Sequence, residues 1–115
     1  MALTDLRPEN LQKTVDELKK IAPEVEVLPI EMNTADEKQV FNSVAKTVAQ
    51  FGSLDIAVNN AGRGGPGKAT HELETKDFKS LIDVNLTGVW LCQKAQIQQM
   101  LKQEYEPWSL STSSY

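Results

Sequence analysis

The sequence has one cysteine, Cys92, and one histidine, His71, in 115 residues. An internal disulfide is therefore excluded, and a zinc site lacks its usual ligand set. Any Cys–His chemistry would have to use these two residues. Long apolar runs are missing as well. No stretch of about 18 apolar residues could span a bilayer, and the opening MALTDLRPEN has no apolar core of a signal peptide. An excess of positive charge is also absent. The formal charge is −4, with both signs interspersed, which argues against nucleic acid or an anionic membrane as a partner. There is no internal repeat, and no low-complexity tract beyond the terminal SLSTSS. The length fits one small domain, and the lone cysteine suits a reducing, cytoplasmic setting.

What is present is an alternation of helical and strand patterns. Residues 8–22 read as a helix: Pro8 suits a first helical position, Leu11, Val15, Leu18 and Ala22 share a face, and Pro23 stops it. VEVLPI, residues 25–30, reads as a short strand, with Pro29 indicating an edge or terminal position. A second helix is expected over 35–51, opened by a Thr34–Glu37 capping box and closed by Gly52. Val40, Val44, Val48 and Phe51 form its apolar stripe. LDIAVNN, residues 54–60, is a continuous apolar run, as a parallel strand covered on both faces requires. From Thr75 to about Gln103 the helical period returns, through Phe78, Ile82, Leu86 and Val89, with Gly88 as a weak point unless a close neighbour requires it. Helix, strand, helix, strand, helix implies an α/β fold with a parallel sheet.

Between the 54–60 run and the last helix lies NNAGRGGPGKAT, and three patterns fit it. Gly62, Gly67 and Lys68 approach a P-loop, but Ala69 stands where a magnesium-binding hydroxyl is needed, and no helix starts in the loop. Gly62, Gly64 and Gly67 spell G-x-G-x-x-G, but that fingerprint needs a helix at once and an acidic strand end about 20 residues on. A plain surface loop, with Lys68 solvated, accounts better for residues 63–68.

The third pattern carries more. LDIAVNNAG, followed by Asn85 in DVNLTGVW, closely resembles the short-chain dehydrogenase/reductase family. TADEKQVFNSVAKTVAQFGSLDIAVNNAG is similar to that family's third-strand-to-fourth-strand unit, and the resemblance runs from about residue 4 to 103. It implies an oxidoreductase that moves hydride between NAD, or NADP, and a carbonyl or alcohol substrate. It also assigns residues. Asn60, Ala61 and Gly62 match the turn beside the adenine ribose, where small residues let the backbone approach and Gly62 would relax the turn. Asn59 would pin neighbouring strands. Asp5 matches the acid that grips the ribose hydroxyls and favours NAD, with Arg7 near enough to blur that preference. Asn33 stands where the family has an aspartate against adenine. Asn85 matches the asparagine of the catalytic tetrad, which disturbs its helix locally; the alternative is an exposed helix residue. Ser114 could match the catalytic serine, though WSLSTSS lacks the apolar strand expected there, and a frayed polar tail over 104–115 is the competing reading. The family's Y-x-x-x-K is absent: Tyr105 is followed by Ser109, and Tyr115 is the last residue.

The expected architecture is thus a partial, incomplete Rossmann-like doubly wound sheet over residues 1–103. In the family order 3-2-1-4-5-6-7, residues 25–30 would be strand 3, MALTD a stub of strand 2 and residues 54–60 strand 4. Nothing supplies strand 1, so strand 4 would lose its partners on both sides. The chain reads as an internal piece of a dehydrogenase domain, inactive and marginally stable by itself, expected to aggregate, to rearrange or to require a partner that completes the sheet. A second reading is a non-catalytic interaction module, since the family places the Asn85 helix at a subunit interface and residues 86–103 could pair with a copy or a homologue.

Overall fold

The computed structural model describes residues 1–104. Its sheet has two parallel strands, β1 (Ala2–Asp5) and β2 (Leu28–Glu31), in register from Ala2 opposite Leu28 to Asp5 opposite Glu31. Backbone bonds from Leu28 N to Met1 O (2.9 Å) and from Met32 N to Asp5 O (3.0 Å) continue the ladder. MALTD is therefore the strand beside the second strand, as expected. That second strand begins at Leu28 rather than Val25, because Val25 N is committed to a turn, donating to Ala22 O at 3.1 Å. Pro29 stands opposite Leu3 on an edge strand, where its missing donor is tolerated.

Helix α1 (Pro8–Ile21) crosses between the strands and lays Leu11 and Val15 on the sheet. It starts on proline and ends before Pro23, which cannot continue it. Helix α2 (Glu37–Phe51) does not use the expected Thr34–Glu37 box. Its cap is Asp36, whose Oδ1 accepts from Gln39 N at 3.1 Å while Oδ2 accepts from Gln39 Nε2 at 2.9 Å. Gln39 Oε1 in turn accepts from Asn33 N at 2.8 Å. A carboxylate also suits the positive end of a helix better than a hydroxyl does. Gly52 closes α2 at φ +86°, a left-handed position that favours glycine, with its N–H on Val48 O.

The expected long helix is three consecutive stretches: α3 (Thr75–Ile82), a π-helical turn over Asp83–Gly88, and α4 (Val89–Met100). Thr75 is the first helical residue, and Glu74 precedes it without a side-chain capping bond. A short 3₁₀ turn, Thr70–Glu72, comes before it. Helices α2 and α4 lie together over Met32, and Met32, Val40, Leu91, Cys92 and Ala95 form one buried cluster flanked by Phe41 and Val44. Val40 is 1% exposed at its centre, and burying such a side chain is worth about 1.5–3 kcal/mol. Lys94 closes the rim, with Nζ 2.8 Å from Glu37 Oε1 and lying over the rings of Phe41 (5.7 Å) and Trp90 (5.2 Å).

Residues 54–60 are not a strand. No backbone ladder bond among the described residues involves them, and Ile56 and Val58 are 84% and 83% exposed. Sequence pattern gives this run the composition of a covered strand, but a strand exists only if another backbone pairs with it. Among the described residues the sheet ends at β1. Phe78, Ile82 and Leu86 are exposed as well, although their spacing marks a core-facing stripe.

Candidate functional site

Asp5 closes β1 at the carboxyl edge of the sheet, the edge at which parallel α/β sheets bind ligands. Its Oδ1 accepts from Arg7 N (2.8 Å) and Asn10 Nδ2 (3.1 Å), which fixes the carboxylate at the start of α1. Oδ2 has no partner among the described residues. Asn33 follows one residue after Met32, whose N–H ends the ladder on Asp5 O, so both side chains belong to the same sheet edge. Asn33 Oδ1 accepts from Ala35 N at 3.0 Å in a local Asx turn. That leaves its Nδ2 as the free donor among the described residues.

The next residue, Thr34, joins this edge to the long helix. A Cβ on Gly88 would lie 3.0 Å from Thr34 Oγ1 and 3.1 Å from Thr34 Cβ, so only a glycine lets the β2–α2 turn come this close to the π turn. Asn85 lies in that same π turn. Its Oδ1 accepts from Arg63 N (2.8 Å) and its Nδ2 donates to Arg63 O (2.9 Å). A side-chain amide thus pairs with a backbone peptide as a neighbouring strand would. Asn85 is exposed by area, yet both ends of its amide are engaged. Arg63 is held a third way, through Nη1 on Ser80 Oγ at 2.6 Å.

Asn60, Ala61 and Gly62 immediately precede this anchor and are exposed. Gly62 does not relax the turn through a left-handed backbone, since only Gly52 and Gly67 have positive φ. A Cβ at Gly62 would meet Asn85 Oδ1 at 3.5 Å, an ordinary contact. Asn59 does not pin strands here. It exchanges hydrogen bonds with Gln96 of α4, Asn59 Nδ2 to Gln96 Oε1 at 2.9 Å and Gln96 Nε2 to Asn59 Oδ1 at 2.8 Å. At the far end of the run, Gln103 Oε1 accepts from Leu54 N (2.7 Å) and Gln103 Nε2 donates to Leu54 O (3.1 Å). Arg63, Ser80, Gln96 and Gln103 were not legible beforehand. Each works through a tertiary contact, and nothing in local spacing marks it.

The glycine-rich residues 63–68 precede no helix N-terminus; the next regular helix begins at Thr75. Neither phosphate-loop pattern therefore has the amide cradle it requires. Cys92 is buried, and burial pushes its thiol pKa up, which disfavours the thiolate. Among the described residues no group of His, Cys, Asp and Glu could hold a metal ion, and no helix is long and apolar enough to cross a membrane. Ser114, Tyr105 and Tyr115 lie outside the described residues.

The arrangement has clear relatives. The short chain dehydrogenase family profile matches residues 1–105. The 3-oxoacyl-acyl-carrier-protein reductase FabG of Staphylococcus aureus is 36% identical over 95 residues, which are 83% of this chain and 37% of that protein. Glucose 1-dehydrogenase 2 of Bacillus subtilis is 33% identical over 85 residues, 74% of this chain and 33% of the other. Among solved structures, levodione reductase superposes with a TM-score of 0.86 at 31% identity, over 89% of this chain and 40% of that one. NAD+-bound xylitol dehydrogenase gives 0.83 at 30% identity, over 90% and 39%. The chain therefore spans about a third to two-fifths of the length of the relatives it matches. Its α/β architecture, a short parallel sheet with crossover helix and a π-turned long helix, is a partial Rossmann-like fold, and the chain belongs to the short chain dehydrogenase family of oxidoreductases.

Proposed function

We propose that residues 1–103 form the adenosine-side part of a nicotinamide-dinucleotide domain, in an oxidoreductase that moves hydride between NAD(P) and a carbonyl or alcohol in the cytoplasm. The carrying observation is the run of contacts from Asp5 through Met32, Asn33 and Thr34 to Gly88, Asn85 and Arg63, which supports a common site for these residues. Solved relatives include one described as NAD+-bound and one alcohol dehydrogenase complexed with 5-hydroxy-NADP. The residues fit an adenosine. The unpartnered Oδ2 of Asp5 accepts from a ribose hydroxyl, the free Nδ2 of Asn33 donates to a ring nitrogen of adenine, and the small Asn60–Ala61–Gly62 turn lets the backbone approach the sugar. When bound, the nicotinamide supplies the hydride acceptor or donor. Asp5 favours NAD over NADP, because a 2′-phosphate would face its carboxylate; the Arg7 side chain offers the opposing charge.

Asn85 keeps the turn in place rather than transferring a proton itself. The test is calorimetric titration with NAD, NADP and adenosine 5′-monophosphate. Wild type is expected to bind the monophosphate and NAD, and Asp5→Ala to lose most of that binding. Equal affinity of wild type and Asp5→Ala would remove the reading.

A second reading rests on the open face of the last helix. Leu86, Trp90, Ile97 and Leu101 are exposed, the last at 80%. This surface is proposed to pair with another copy or a homologue. Light scattering during the same titrations reads it out: a monomer at all concentrations, alone and with an intact homologue, excludes it.

A further inference from the structure

The extended run from Leu54 to Arg63 has no sheet partner among the described residues, yet it follows a defined course. Three side-chain amides account for it. Gln103 clasps the peptide groups of Leu54, Gln96 clasps the Asn59 amide and Asn85 clasps the peptide groups of Arg63, each through two hydrogen bonds of 2.7–3.1 Å. The order is antiparallel: as the run advances from 54 to 59 to 63, the partner position retreats from 103 to 96 to 85. Asn85 lies in the π turn, Gln96 in α4, and Gln103 three residues past the end of α4 at Met100. Backbone groups of the run form no ladder among the described residues. Its two large outward residues, Ile56 and Val58, bury little.

We infer that Gln96 and Gln103 are positioning residues, which set the height and direction of the run and so present the Asn60–Ala61–Gly62 turn to its ligand. An amide suits this task because it carries a donor and an acceptor side by side, the same pair a peptide group presents on a strand edge. A two-bond clasp also fixes rotation, which a single hydroxyl or ammonium does not. Gln96 acts closest to the turn: Asn59 is its partner, and Asn60 is the next residue. Gln103 anchors the entry, where α2 ends at Gly52 and the run begins. With Asn85 they tie the start, middle and end of the segment to the π turn, α4 and the turn that follows it.

Nucleotide presentation rests on the reading above, but the clasp itself does not, and the experiment separates them. In the ¹⁵N-labelled full chain, backbone amide exchange at Arg63 and the side-chain NH₂ signals of Gln96 and Gln103 are followed by NMR, with adenosine 5′-monophosphate as the binding probe. Gln96→Leu is expected to speed Arg63 exchange and weaken monophosphate binding, each about three- to tenfold, while signals from β1, α1 and β2 stay in place. The length-conserving exchange Asn59→Gln with Gln96→Asn is expected to restore both, because the summed reach of the two side chains is unchanged. A Gln96→Leu chain with wild-type Arg63 exchange overturns the inference, as does an Arg63 amide unprotected in wild type or failure of the exchanged pair to restore it. Intact exchange effects without monophosphate binding by wild type would overturn the nucleotide reading and its presentation role, while upholding the clasp.

Discussion

Gly88→Ala sets two principles against each other at one atom. Glycine inside a helix costs about 1 kcal/mol relative to alanine, so on propensity alone the substitution should stabilise. The added methyl would sit 3.0 Å from Thr34 Oγ1, 3.1 Å from Asp83 O and 3.1 Å from Thr34 Cβ. A hydroxyl can rotate away; the other two cannot. Asp83 O belongs to the π turn, and Thr34 Cβ is carried by a turn whose flanks are hydrogen-bonded through Asn33, Asp36 and Gln39. Overpacking of this kind typically costs about 1–3 kcal/mol. The cost exceeds the gain, and a net loss of about 1 kcal/mol is expected. Urea unfolding followed by far-UV circular dichroism measures it. Thr34→Gly removes two of the three close atoms, so the same Gly88→Ala change made in that background should lose much less. A Gly88→Ala chain as stable as wild type would refute the close approach of turn and helix. So would an equal loss in the Thr34→Gly background, which would place the cost in the π turn alone.

Two further outcomes follow from the packing. Asp36→Ala should lower stability by about 0.5–2 kcal/mol, as loss of a helix cap does, whereas Asp36→Asn keeps an acceptor for Gln39 N and most of the stability; parallel urea titrations compare them. Cys92 should react slowly with a thiol reagent in the folded chain and rapidly in urea, since it is buried and its pKa is raised by desolvation. A raised folded pKa gives stability that is complete below the unfolded thiol pKa of about 8.5 and is lost as pH climbs through the folded value. The urea midpoint of wild type should therefore fall faster above that pH than that of Cys92→Ala.

The helices α1 and α2 were legible because their signals are local: a leading proline, a repeat of apolar residues, a closing glycine; the Asp5 end of β1 came from the family resemblance. The cap was misplaced because Thr34 and Asp36 are both good caps by composition, and only the Gln39–Asn33 contact selects Asp36. The site was legible only in outline. NNAG and Asn85 could be named, but not that Asn85 reaches the peptide of Arg63, since the two are brought together by folding.

LDIAVNN gives the sharpest division. By itself the sequence determined that residues 54–60 have the composition of a buried parallel strand, that a helical period runs on from Thr75 and that Gly88 weakens it, because composition and period are properties of neighbouring residues. Tertiary structure alone decided that the run stays unpaired with Ile56 and Val58 exposed, that Gln96 and Gln103 hold it, and that Gly88 makes room for Thr34. The physical reason is that strand pairing, amide clasps and close approach each need a second group distant in sequence, and which group arrives is settled by the packing of the whole chain.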